Sequence, residues 1–146
     1  MVYILIAFLF YSCKKYPENN LWFKSPKKII EGVWYLESYK VNGTDSVTFD
    51  NFKMFKEKGI RFSASNGIYN YEQFVGGTWS LIDKKKKVFL KLVRQSPVLS
   101  GYQYSSQRNI FIEEQGLDWK IEKLCENSFW ISVINNNINY EIHFSN

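Results

Sequence analysis

The chain has 146 residues, a net charge of +5, and 45% hydrophobic and 18% aromatic content. This length fits one domain with a real core, which excludes a disordered, charge-dominated chain. The positive excess is small and spread out, whereas nucleic-acid binding needs basic residues gathered on one face.

Residues 2–10 form an unbroken apolar run that ends at Tyr11-Ser12-Cys13-Lys14-Lys15. A membrane-spanning helix needs about 20 apolar residues, so a run of this length suits a signal-peptide core. Phe10-Tyr11-Ser12-Cys13 resembles the lipobox of bacterial lipoproteins. The resemblance implies that residues 1–12 are removed as a signal peptide and that Cys13 is the lipid attachment site. A diacylglyceryl group would join its sulfur and a fatty acyl chain, such as palmitate, its new amine. One chain holds a protein to a bilayer only marginally, at about 0.8 kcal/mol per buried methylene, whereas two or three on one residue hold it almost permanently. Lys14 stands where some lipoproteins carry an aspartate that retains them at the inner membrane. The implied address is therefore the cell envelope, anchored at the outer membrane. With Cys13 acylated, an internal disulfide is excluded for Cys125, which reads as a packed thiol closing an apolar strand.

Residues 13–28 read as the lipidated N-terminus and tether, with turn formers at Pro17, Asn19 and Asn20. Ser25-Pro26 can cap and begin one short helical turn. A long first strand over residues 33–41 stops at Asn42-Gly43, a strong hairpin signal. Phe49, Phe52 and Phe55 recur every three residues, which predicts a short helix or irregular crossing in 47–58. Residues 60–65 and 68–74 flank Asn66-Gly67, the clearest hairpin sequence of the chain. Gly76-Gly77 then introduces a strand over 78–82.

Asp83 and the run Lys84-Lys85-Lys86-Lys87 lie between two apolar segments and read as a solvated turn. No stacking aromatics alternate with the lysines, so nothing favours a nucleic-acid patch over that turn. A strand over 88–93 is followed by a Ser-, Gly- and Tyr-rich loop over 94–108. Strands are expected at 109–115, 117–125, 128–134 and 138–144. The last alternates best, with Ile138, Tyr140, Ile142 and Phe144 on one face.

Eight or nine short strands joined mainly by tight turns predict an all-β fold, an antiparallel up-and-down β-barrel of about eight strands. Closure removes the exposed edges of such a sheet. A β-sandwich is the competitor, but its Greek-key connections are longer. Gly32-Val33-Trp34-Tyr35-Leu36 resembles the Gly-x-Trp opening of lipocalins, whose tryptophan closes the barrel floor. The stretch from Gly32 through Asn42-Gly43 is similar to lipocalin-like domains of bacterial lipoproteins. So are Gly77-Thr78-Trp79-Ser80-Leu81, Trp119-Lys120-Ile121-Glu122-Lys123-Leu124 and Tyr140-Glu141-Ile142-His143-Phe144. The resemblance covers residues 29–146 and implies a lipocalin-like barrel domain; most such domains have no assigned activity.

Catalytic constellations are missing from the pattern. The lone His143 is expected on the polar, solvated face of the last strand, and one histidine with one cysteine cannot supply the usual zinc ligand sets. Glu113 and Glu114 would point to opposite faces of a strand. Asp45, Asp50 and Asp83 read as turn or loop residues without calcium-loop spacing. The expectation is a non-enzyme without cofactor or metal.

The remaining candidate site is the barrel interior. Its expected lining is Trp34, Leu36, Trp79, Leu81, Leu90, Leu92, Trp119, Ile121, Phe129, Ile131, Tyr140 and Ile142. Such residues either fill a solid core or surround a cavity for a small apolar ligand, and both readings stay open. The segment from Pro97 through Tyr102 and Tyr104 supplies tyrosines suited to an interface with another envelope protein. The expected partners are thus the membrane through the anchor, and a small apolar ligand or an envelope protein, with no nucleic acid.

Overall fold

The computed structural model describes residues 24–46, 55–69, 75–94 and 115–146. Residues 1–12, expected as a signal peptide, Cys13 and most of the expected tether lie outside them. So do the tyrosine-rich loop, Phe49, Phe52, Asp50, Glu113, Glu114 and the strand expected at 109–115, except Gln115.

The helix α1 (Pro26–Ile30) forms as expected: Pro26 occupies the first turn and the Ser25 hydroxyl accepts from the Lys28 amide at 3.4 Å. Ile29 and Ile30 are buried. Then follow β1 (Gly32–Val41), β2 (Thr44–Asp45), a helical turn at 55–58, β3 (Ile60–Phe62) and β4 (Gly67–Tyr69). The rest comprises β5 (Val75–Ile82), β6 (Lys87–Arg94), β7 (Leu117–Cys125), β8 (Ser128–Asn135) and β9 (Ile138–Ser145).

All strand pairings are antiparallel, in the order β2-β1-β3-β4-β5-β6-β7-β8-β9, and β1 also pairs with β9. That last pairing closes eight strands into a barrel, with β2 as a short extra strand on the upper part of β1. The sandwich alternative is ruled out by this closure, which leaves no long edge.

Turn chemistry sets the register. Asn42 and Gly43 have φ of +50° and +80°, and Asn136 and Asn137 of +51° and +62°. Two left-handed residues in a two-residue loop match the right-handed twist of the flanking strands. Asp83, Lys84 and Lys85 are also left-handed and make the expected turn between β5 and β6. At Asn66-Gly67 the expectation needs correcting. The turn occupies 63–66, Gly67 is already in β4, and β3 ends at Phe62. The Ser63 side chain is the reason: its hydroxyl accepts from the Gly67 amide at 2.9 Å, closing a wider loop.

Gly76 and Gly77 lie inside β5 rather than before it. A Cβ at Gly77 would fall 1.8 Å from the Lys91 carbonyl oxygen, so β5 and β6 approach there as only glycine allows.

Two bulges break the simple alternation, one between Leu36 and Ser38 in β1 and one between Ile121 and Lys123 in β7. An extra residue reverses which side chains face inward beyond it. Tyr39 and Leu124 are therefore buried, although strict alternation from Leu36 and Ile121 places them outside.

Because successive strands reverse direction, the connections fall on two rims. One rim, the floor, carries α1 and the turns at 63–66, 83–86 and 126–127. The other, the mouth, carries the turns at 42–43 and 136–137.

Candidate functional site

The floor half of the barrel is an aromatic plug. Trp34, the third residue of β1, is fully buried and its indole N–H donates to the Ile30 carbonyl at 2.7 Å. That bond pins the end of α1 over the floor. Trp79 of β5 likewise donates to the Ser63 carbonyl at 3.0 Å, fixing the turn after β3. Between them Phe62 packs edge-on against Trp79 (5.7 Å), Phe129 (5.9 Å) and Phe144 (6.4 Å). Phe129 also meets Trp34 at 5.7 Å and stacks on Phe144 at 5.7 Å. Edge-to-face and offset contacts of this kind add to the area each ring buries. Trp34→Phe keeps most of that packing but leaves the buried Ile30 carbonyl without its donor. Its expected cost is about 1–3 kcal/mol of unfolding free energy, read by urea titration.

The mouth half is aliphatic, with a pair of tyrosines. Leu90 and Leu92 of β6, Ile131 of β8 and Ile142 of β9 are at most 2% exposed. Tyr39 and Tyr140 stack at 6.2 Å with their planes 26° apart. Burial first, and the neighbouring Tyr140 second, hold the Tyr39 hydroxyl well above the ordinary phenol range. The folded state therefore keeps this proton where the unfolded chain, with a phenol near pH 10, releases it. Its contribution is fully present below pH ~10 and is lost as pH rises toward the folded value. The slope approaches about 1.4 kcal/mol per pH unit in that window. Tyr39→Phe should remove this part of the alkaline destabilisation, which unfolding titrations at a series of alkaline pH values will reveal.

All twelve candidate lining residues join one interior cluster. Trp34, Leu36, Trp79, Leu90, Leu92, Trp119, Ile121, Phe129, Ile131 and Ile142 are buried, and Leu81 and Tyr140 are half-buried against them. Phe62, Ile60 and Ile68 belong to the cluster as well. Their strands have three residues each, too few to display a period. Phe55, the bulge-displaced Tyr39 and Leu124, and Ile29, Ile30, Val88 and Phe144 are the other buried members outside the expected lining.

The polar face of β9 corrects another expectation. His143 is not solvated but 7% exposed. Cross-strand pairing places it beside Trp130 of β8 and Ser38 of β1. Its ring stacks on Trp130 at 4.0 Å, nearly parallel, and its Nε2 contacts the Glu141 carboxylate. Lys123 covers the other partner, with Nζ 4.3 Å from the Trp130 ring centre. Lys40 reaches Glu141 at 3.8 Å. Alternation alone placed His143 outward, and outward it is; burial comes from the tryptophan opposite, which only the register reveals. Among the described residues no three His, Cys, Asp or Glu side chains gather as metal ligands.

Cys125, expected as a packed thiol, is disulfide-bonded. The sequence holds one other cysteine, Cys13.

These features define a closed, eight-stranded, up-and-down antiparallel β-barrel with an aromatic floor and an aliphatic mouth half. No family model matches the chain, and no curated protein matches it either.

Proposed function

We propose that this is a lipid-anchored envelope protein of lipocalin-like type, whose barrel takes a small apolar molecule in its mouth half. The observation that carries the ligand reading is the division of the interior. Aromatic rings in mutual contact occupy the floor, while the opposite half is lined by Leu90, Leu92, Ile131 and Ile142 with the Tyr39–Tyr140 pair above them. An apolar wall with a few polar groups at one end suits an apolar ligand that is oriented by its polar end. The anchor reading is supported by the apolar run of 2–10 and its ending at Cys13.

A sulfur in a disulfide cannot also carry a thioether. Were Cys13 the partner of Cys125, that disulfide and acylation at Cys13 would be mutually exclusive states. Lipidation requires that Cys13 reach the acylating machinery before oxidation.

Native mass spectrometry of protein extracted in mild detergent tests the ligand. A recurring adduct of small mass, lost in Leu92→Trp, is the expected result, because the larger ring would fill the same space. Repeated recovery of the bare polypeptide would contradict the carrier reading. It would favour the second one, a solid barrel serving as a structural or interaction module. The near-zero exposure of Leu90, Leu92, Ile131 and Ile142 is the observation on that side.

A further inference from the structure

We infer that the floor rim is a docking surface for an anionic bilayer, so that the barrel stands floor-down on the membrane with its mouth turned away. The inference rests on the lipid-anchored reading and adds an orientation and a lipid preference to it. In the sequence the lysine run is merely a turn. The fold brings that turn to the same rim as α1, and β7 links the two: α1 packs on β7, and the Lys86 carbonyl accepts from the Ile121 amide of β7 at 3.0 Å.

Across 24–31, 63–66, 83–87 and 126–127 this rim carries seven lysines against three carboxylates, an excess of four positive charges. Three of the lysines are neutralised locally, by the pairs Lys24–Glu126, Lys28–Glu31 and Lys87–Asp83. Lys84, Lys85 and Lys86 project from the turn and are exposed. The mouth rim is different. Over 42–46 and 136–137 it carries one carboxylate, Asp45, and no lysine. Among the described residues, the asymmetry is therefore between the two ends of one barrel.

The tether enters at the basic end. Lys24 sits at the floor, its Nζ 2.9 Å from Glu126 in the turn between β7 and β8. Ten residues lie between it and Cys13, and the eleven Cα–Cα steps span at most about 40 Å when extended. Acyl chains on Cys13 would thus hold this rim near the headgroups, with Lys14 and Lys15 beside the anchor itself. Screening limits charge attraction to about 8 Å at physiological ionic strength, so such lysines act only within that range, which a tether of this reach allows the rim to enter. Lipid phosphates are the complementary chemistry, delivered as a flat anionic surface.

Amide hydrogen exchange on the full native protein, reconstituted in phosphatidylglycerol-rich or pure phosphatidylcholine vesicles, tests the inference. Amides of 24–28 and 83–87 should exchange about fivefold more slowly on the anionic vesicles. The difference should vanish in high salt and in Lys84→Asn/Lys85→Asn/Lys86→Gln, where asparagine tolerates the left-handed backbone. It should persist in Lys40→Gln/Lys56→Gln/Lys91→Gln, which removes the same charge elsewhere. Equal exchange on both lipids, protection at the mouth turns instead, or indifference to the turn variant would overturn the inference. Flotation of the same samples in high salt separates the two readings. Protein that fails to float refutes the anchor, whereas protein that floats without lipid-dependent protection refutes the docking alone.

Discussion

Phe129→Ala is expected to lower the unfolding free energy by about 4 kcal/mol, the range for deleting a large ring from a packed core. Phe129 is fully buried and touches Trp34, Phe144 and Phe62 at 5.7, 5.7 and 5.9 Å. No single neighbour can move to fill the space, because Trp34 is tied to Ile30 and Phe62 to the edge of Trp79. Domains of this size have about 5–15 kcal/mol in total, so the variant should stand near its unfolding threshold at room temperature. Phe129→Leu, which keeps most of the volume, should cost only about 1.5 kcal/mol. Urea titrations of both, compared at equal slope, give the answer. A loss below ~1 kcal/mol for the alanine variant would mean that the floor is not a packed plug.

Gly77→Ala is the second large effect, expected at about 3 kcal/mol. The added methyl would lie 1.8 Å from the Lys91 oxygen and 2.8 Å from its carbonyl carbon. These are backbone atoms of the paired strand, so the obstacle cannot swing aside as a side chain would. Relief requires β5 and β6 to separate around the pairs Gly77↔Leu92 and Thr78↔Lys91. Gly43→Ala supplies the contrast. Gly43 is left-handed at φ +80° with nothing within 4 Å of a Cβ, so its cost is backbone strain alone, about 1–2 kcal/mol. A urea-midpoint shift at Gly77 no larger than that at Gly43 would contradict the close approach.

Much of the barrel is readable from local chemistry. Asn42-Gly43 demanded a tight turn and obtained one, and the alternation from Ile138 to Phe144 is carried directly into β9. What periodicity could not show is where it is interrupted. The bulges at Glu37 and Glu122 have no glycine or proline to mark them, and each shifts the inward set by one position, to Tyr39 and Leu124. The strands β3 and β4 escape for another reason. Each contributes three residues, and Ser63 widens their turn through a side-chain bond that no dipeptide rule contains.

The candidate site divides in the same way. Side chains such as Trp34, Trp79 and Ile131 announce their burial through size and apolarity alone. His143 does not, because its environment comes from Trp130 on a neighbouring strand and from Glu141 two positions earlier. The basic rim shows the same dependence on topology. Lys27 and Lys84 lie far apart in sequence, and only the reversal of successive strands puts them at one end of the barrel.

The most direct test of the account is the intact mass of the protein purified from membranes, beside Cys13→Ala. The account predicts a polypeptide that starts at Cys13 and bears two or three acyl chains, with the variant retaining residues 1–12 and gaining no lipid. A wild-type chain that still begins at Met1, bears no lipid and has Cys13 oxidised onto Cys125 would contradict it.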